Sequence, residues 1–327
     1  GEIGRKKITQ ITRYGTVFIA CIQGYGVSVG LENAGNLVTN PGVYFKIITV
    51  ISLVAGTTFL MWLGEQITSR GIGNGISLII FSGIVAEIPR ALASTFELGR
   101  TGALSATMII GILILIIVTV MFIVFMERAM RKILINYPKR QVGNKVYGGQ
   151  SSHLPLKINT AGVIPAIFAS ALLLLPITFS NFGLSESDLF LNFSSLFSQG
   201  KPLYMLLYAA GIIFFCFFYT GIVFNPKETA ENLRKYGGYV PGIRPGERTA
   251  EYIETILVRL TTIGAAYLTL VCLMPEFLIA KYPIPFYLGG TSVLIVVVVA
   301  MDTVTQVQTR LMSSQYESLI KKAKFSK

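Results

Sequence analysis

Eight long stretches without a charged residue punctuate this chain, over 14–30, 47–64, 71–86, 101–126, 158–185, 202–226, 260–275 and 282–301. Each predicts a spanning helix, because a hydrocarbon layer about 30 Å thick takes roughly 20 apolar residues of helix, whose backbone satisfies its own hydrogen bonds. The runs 71–86 and 260–275 are short and reach span length by borrowing flanking residues such as Glu87 and Arg259 at headgroup level. Two intervening polar segments, Glu127 to Lys157 and the stretch following 226, are too long for simple connectors and are expected to carry function.

Within the first long loop, Ile133 to Tyr137 and Lys145 to Tyr147 lean towards strand around Pro and Gly punctuation and predict a hairpin. The second contains Pro241-Gly242-Ile243-Arg244-Pro245-Gly246, whose paired prolines and glycines predict a tight turn with Arg244 at its tip. In the membrane, Gly71, Gly73 and Gly75 open a span where the backbone bends or another helix approaches closely. Pro165 and Pro176 invite kinks in the span 158–185.

Composition sharpens this picture: 52% hydrophobic and 13% charged residues exclude an ordinary soluble domain. The net charge of +12 is mainly a topology signal. With the N-terminus in the cytoplasm and alternating spans, 23 of the 28 basic residues fall on the cytoplasmic side. The remaining five are Lys46, Arg90, Arg100, Lys201 and Lys281. Both termini are then cytoplasmic, and the basic loop 127–157 is also able to meet an RNA backbone or an acidic protein. The basic N-terminus ahead of an apolar run outlines a signal peptide, but no small-residue cleavage pattern follows, so an uncleaved first span is expected.

Little in the chain suggests chemistry. Cys21, Cys216 and Cys272 lie in apolar runs and read as core residues, and His153 has no Cys, Asp or Glu at ligand spacing. With no paired carboxylates, nucleophile elbow or phosphate loop, the chain reads as a non-enzyme without cofactor or metal. A secondary solute transporter is the alternative, since Gly- and Pro-interrupted spans also build midplane sites. Its coupling carboxylate would have to be Asp302, which is expected at the cytoplasmic end of its span in a structural or helix-capping role.

The strings WLGEQITSRGIGNGISLII (62–80), NTAGVIPAIFAS (159–170), FNPKETAENLRKYGGYVPGIRPG (224–246), PFYLGGTSVLIVVVV (285–299) and SSQYES (313–318) closely resemble the bacterial SecY family. SecY is the pore subunit of the general protein-conducting channel, and the resemblance runs from about Gly1 to about Lys324 in the family's order. It implies an all-α polytopic bundle of ten helices in two halves, of which this chain supplies eight. The chain starts with Gly1 in place of Met and is expected to be a fragment lacking the first two helices and the plug segment. Residues 1–100 would be the remainder of the N-terminal half. Residues 101–327 would be the C-terminal half, with cytoplasmic loops 127–158 and 225–255 and a tail over 310–327.

The resemblance further implies a pore ring at Ile76, Ile80, Ile167 and Ile295, and a lateral gate including Gln23 and Leu175. Ile76 and Ile80 lie four apart on one helical face, and a ring of branched apolar side chains makes a dewetting constriction. Docking of the SecA motor ATPase or the ribosome, through its RNA and protein at the exit site, would involve Arg244. It would also involve Arg131, Lys132, Lys139, Arg140 and Lys145, with Asn144 standing where close relatives often carry arginine. SecE and SecG are the implied brace subunits and unfolded secretory and membrane polypeptides the implied passengers. The implied location is the bacterial inner membrane, with the lipid bilayer as a partner.

Overall fold

A computed structural model of the chain describes residues 2–33, 38–102, 105–138, 140–142, 145–147, 151–180, 201–281 and 290–325. Nine helices follow in order among these residues, interrupted by four short strands. They are α1 (Glu2–Asn33), α2 (Val43–Arg70), α3 (Gly75–Arg100), α4 (Ala106–Arg128), α5 (Ile164–Ser180), α6 (Pro202–Val223), α7 (Pro226–Lys235), α8 (Glu247–Lys281) and α9 (Gly290–Phe325). The strands β1 (Met130–Asn136), β2 (Arg140–Val142), β3 (Lys145–Tyr147) and β4 (Ser151–Lys157) lie between α4 and α5. Among the described residues, seven helices are long and apolar enough to cross a membrane, and α5 marks the eighth expected position. The two short runs do reach span length with flanking charge, as α3 and α8.

The chain divides into two compact units. The first comprises Gly1–Arg90, Ala171–Tyr204 and Val299–Lys327. In it α1 and α2 form a helical hairpin whose close approach is set by Gly24, where a Cβ would sit 3.6 Å from Leu53 and Val50. Ser28 and Val29 complete the buried stripe of α1. Arg13 pairs with Glu65 through two bonds at one end, and Glu32 pairs with Lys46 at 3.0 Å at the other.

The glycine run after Arg70 forms the corner between α2 and α3. Gly71 caps α2 by donating to Ile67 O, and Gly73 takes a left-handed φ of 90° that side chains avoid. Gly75 N then donates to Thr68 Oγ1, which itself donates to Gly64 O. A methyl group on Gly75 would collide with the Gly64 carbonyl, so only glycine allows the two helices to meet here.

The second unit comprises Ala91–Ser170 and Met205–Val298. Its spans pack on the buried side chains of Ile212, Cys216, Leu268, Val271, Cys272 and Leu294. All three cysteines are free, and Cys21 is partly exposed. Gly290 lies so close to Val271 and Cys272 that any side chain would clash. Tyr208 shares a 2.6 Å hydrogen bond with Thr291.

Two expectations need correction. The strand pieces do not pair with each other: β1 pairs antiparallel with β4, and β2 with β3, so one hairpin is nested inside the other. Apolar alternation marks β1 but cannot reveal a partner some 20 residues away. Pro165 does not kink a helix, because it sits in the first turn of α5, where its missing N–H is not needed. Asp302 lies inside α9, which continues to Phe325 and makes the expected tail 310–327 helical over most of its length.

Candidate functional site

The two long loops, far apart in sequence, are one structure in the second unit. From Asn225 onwards each residue type has a local reason. The Asn225 side chain accepts from Lys227 N and Glu228 N, and Pro226 fills the first helical position, so α7 starts there. It ends in two hydrogen bonds, from Gly238 N to Leu233 O and from Gly237 N to Arg234 O, with Gly237 at φ 74°. Gly238 then passes beneath the first loop, where a Cβ would lie 2.9 Å from the Tyr137 ring and 3.1 Å from Ile135.

That close approach lets Tyr239 bond to Asn136 in both directions, at 2.9 and 3.0 Å. Val240 follows into a small apolar core with Ile133, Leu156 and Ile253, flanked by Leu154, Phe224, Leu233, Ile243, Ile256 and Leu260. Burying four such side chains contributes about 1.5–3 kcal/mol each. The outer hairpin and a proline-rich loop thereby become a packed platform.

Arg244 stands exposed on this platform as the turn chemistry predicts. Gly242 at φ 82° and Gly246 at φ 109° bend the chain on either side, and Thr249 Oγ1 donates to Arg244 O at 2.9 Å, tying the tip to the start of α8. Arg244 and Arg248 line an open concavity with Gly242, Ile243, Glu251, Tyr252 and Thr255. Arg131 and Lys132 are exposed on β1, in register with Leu156 and Pro155 of β4. Arg140 and Lys145 belong to the inner strand pair, whose side chains are outside the described residues, as is Lys139 altogether. His153 is exposed on β4 opposite Leu134.

The four candidate pore residues fall in both units. Ile76 and Ile80 lie on α3 of the first unit, exposed by 49% and 38%, with Ile76 facing Gly64 of α2. Ile167 and Ile295 belong to the second. Ile167 is partly exposed in the first turns of α5, with its N–H bonded to Val163 O, whereas Ile295 on α9 is only 6% exposed. Gln23 is exposed on α1; Leu175 lies on α5, its side chain outside the described residues.

Sequence reasoning missed the polar group beneath the platform. Glu127, at the end of α4, is buried and accepts a 2.6 Å hydrogen bond from Asn159 Nδ2, with the Tyr267 hydroxyl at 3.5 Å. Breaking a buried charge–dipole contact of this kind costs about 1.5–3 kcal/mol. Its one signal was Asn159, the first residue of the motif that opens the fifth apolar run. Glu276 is likewise buried, and its Oε2 meets no hydrogen-bond partner among the described residues. No group of three His, Cys, Asp or Glu able to hold a metal occurs among those residues.

Comparison with known proteins bears directly on this arrangement. The profile of the SecY family matches residues 1–304. The chain is 57% identical over 328 residues to the protein translocase subunit SecY of Rickettsia bellii (strain RML369-C), covering 99% of this chain and 76% of that protein. Identity to the same subunit of Escherichia coli (strain K12) is also 57%, covering 99% and 74%. Among solved structures, a SecY whose plug domain stabilises the closed channel superposes with a TM-score of 0.70 at 19% identity, over 94% of this chain and 75% of that one. A structure described as a protein-conducting channel gives 0.63 at 18%, over 88% and 71%. Sec61 from the canine ribosome–channel complex gives 0.57 at 17%, over 88% and 71%. At such identities these structures speak for the fold alone.

Proposed function

The chain belongs to the SecY family, and from that membership we propose that it is the central subunit of a protein-conducting channel in the bacterial inner membrane. It passes unfolded secretory polypeptides across the bilayer and releases hydrophobic segments sideways into lipid. The observation that carries this reading is the family match over residues 1–304, joined by 57% identity to SecY translocase subunits over 99% of the chain.

On this reading residues 1–100 and 101–327 belong to the two halves of the bundle. Ile76, Ile80, Ile167 and Ile295 line the constriction, where branched apolar side chains exclude ions yet give way to a moving chain without a sequence-specific bond. Gln23 and Leu175 stand at the lateral gate. The platform faces the cytoplasm with both termini, in line with the excess of basic residues on that side. There Arg131, Lys132, Lys139, Arg140, Lys145 and Arg244 receive SecA or the ribosome, whose acidic or phosphate groups complement them. SecE and SecG brace the helices. The chain itself works as a channel and not as an enzyme, with energy coming from the partner's nucleotide cycle.

Site-specific crosslinking tests the proposal. A stalled secretory polypeptide in the assembled channel is expected to give strong adducts with probes at Ile80, Ile167 and Ile295, and none at lipid-facing Phe125. Export that proceeds without adducts at all three positions would show that the passenger runs elsewhere.

A further inference from the structure

The apolar core explains how the two loops hold together, but not why a carboxylate lies buried beneath them. Three stretches of chain, separated by 32 and 140 residues, converge on Glu127 Oε1: the end of α4, Asn159 before α5, and Tyr267 in α8. The same Asn159 amide nitrogen donates to Gly162 O at 3.1 Å. Just above, Ile158 N donates to Ala129 O, closing the base of the hairpin. Behind, Gly264 of α8 approaches so closely that a Cβ would lie 2.9 Å from Ile158 O.

The amide orientation follows from chemistry. Both neighbours, a carboxylate and a carbonyl, are acceptors, so nitrogen must face them. Asn159 Oδ1 is thereby left buried with no donor among the described residues. An orphaned acceptor beside a buried carboxylate is not what a site evolved for stability alone would keep, since apolar side chains of like volume serve as well or better. The position has a directional consequence instead. Gly162, at φ 64°, turns the chain into α5, and Val163 O receives the N–H of Ala166 and of Ile167. Glu127 sits at the root of β1, which displays Arg131 and Lys132.

We propose that Glu127 is a positioning residue that couples the hairpin to the start of α5. By holding Asn159 it fixes the Gly162 turn and hence the place of Ile167. The inference rests on reading the chain as a polypeptide channel with Ile167 in its lining. A partner that draws β1 aside displaces Glu127, and Asn159 follows or lets go.

Distances between spin labels at Leu134→Cys and Phe168→Cys test the coupling, in the assembled channel in liposomes with Cys21, Cys216 and Cys272 replaced by Ala. The parent and Glu127→Gln, whose Oε1 still accepts from Asn159, are expected to give one narrow distribution. Asn159→Asp faces two carboxylates against each other and is expected to broaden the distribution about twofold and slow polypeptide transport about tenfold, with Glu127→Gln/Asn159→Asp restoring both. Should Asn159→Asp not accumulate, Glu127→Ala supplies the same broadening without repulsion. Unchanged distances in the variant, or broadened distances with transport at the parental rate, overturn the coupling. A parent channel that carries no polypeptide overturns the channel reading itself, and the distances would still report on the contact.

Discussion

In the platform, large apolar side chains point inward: Ile133, Leu156, Val240 and Ile253 are buried while Arg131, Lys132 and Arg244 stand outside. In α2 and α3 the relation is reversed, with few residues of either apolar stretch buried and Ile51, Phe59 and Val85 exposed. The difference lies in the solvent. Water drives the platform's apolar residues together, whereas hydrocarbon is as apolar as leucine and leaves such residues on the outside of a span. Helix α8 joins both regimes: Ile253 and Ile256 belong to the platform core, and further on Leu268, Val271 and Cys272 are buried.

Substitutions sharpen this contrast. The largest effect is expected from Ile253→Ala in the platform core, which should lose about 2–5 kcal/mol and expose the 127–157 and 225–247 segments to protease in the membrane-embedded protein. Cleavage at the parental rate would mean that the apolar cluster does not hold the loops. Next comes Gly75→Ala, a collision at the α2–α3 corner. Overpacking of this kind costs about 1–3 kcal/mol, read as a lower thermal midpoint in detergent; an unchanged midpoint would show that the corner relaxes freely. Arg244→Glu should leave stability within about 0.5 kcal/mol while weakening partner docking at least about tenfold, most strongly at low salt. Unaltered docking would remove the case for the turn tip. The smallest effect is expected from Phe125→Ala on the exposed face of α4, about 0.5 kcal/mol or less, and a larger loss by reversible unfolding would reveal a protein partner against that face.

Much of the fold was legible from spacing alone. Uncharged runs marked the spans, the glycines after Arg70 marked the corner, and the Pro-Gly pairs around Arg244 marked an exposed turn, because each is a short-range property of the backbone or its solvent. The candidate pore residues were legible only through family resemblance, since an isoleucine in a spanning helix carries no local sign of facing a pore. Pro165 was misread for a physical reason: the same ring that kinks a helix interior is welcome in its first turn, and helix boundaries are the least legible feature of a sequence. The nested hairpin was missed because two strand-like pieces near one another need not be partners.

By itself the sequence determined the solvent of this protein, its helical class, the polar loops and the residues that turn them, all of which depend on hydropathy and backbone preference over a few neighbours. Only the tertiary structure decided that the two loops share one core through Gly238 and Tyr239, and that Glu127 lies beneath them against Asn159 and Tyr267. Those contacts join residues from 32 to 140 positions apart. A buried carboxylate or a close-packed glycine is specified by whatever the folded chain brings opposite it, and no local pattern encodes that partner.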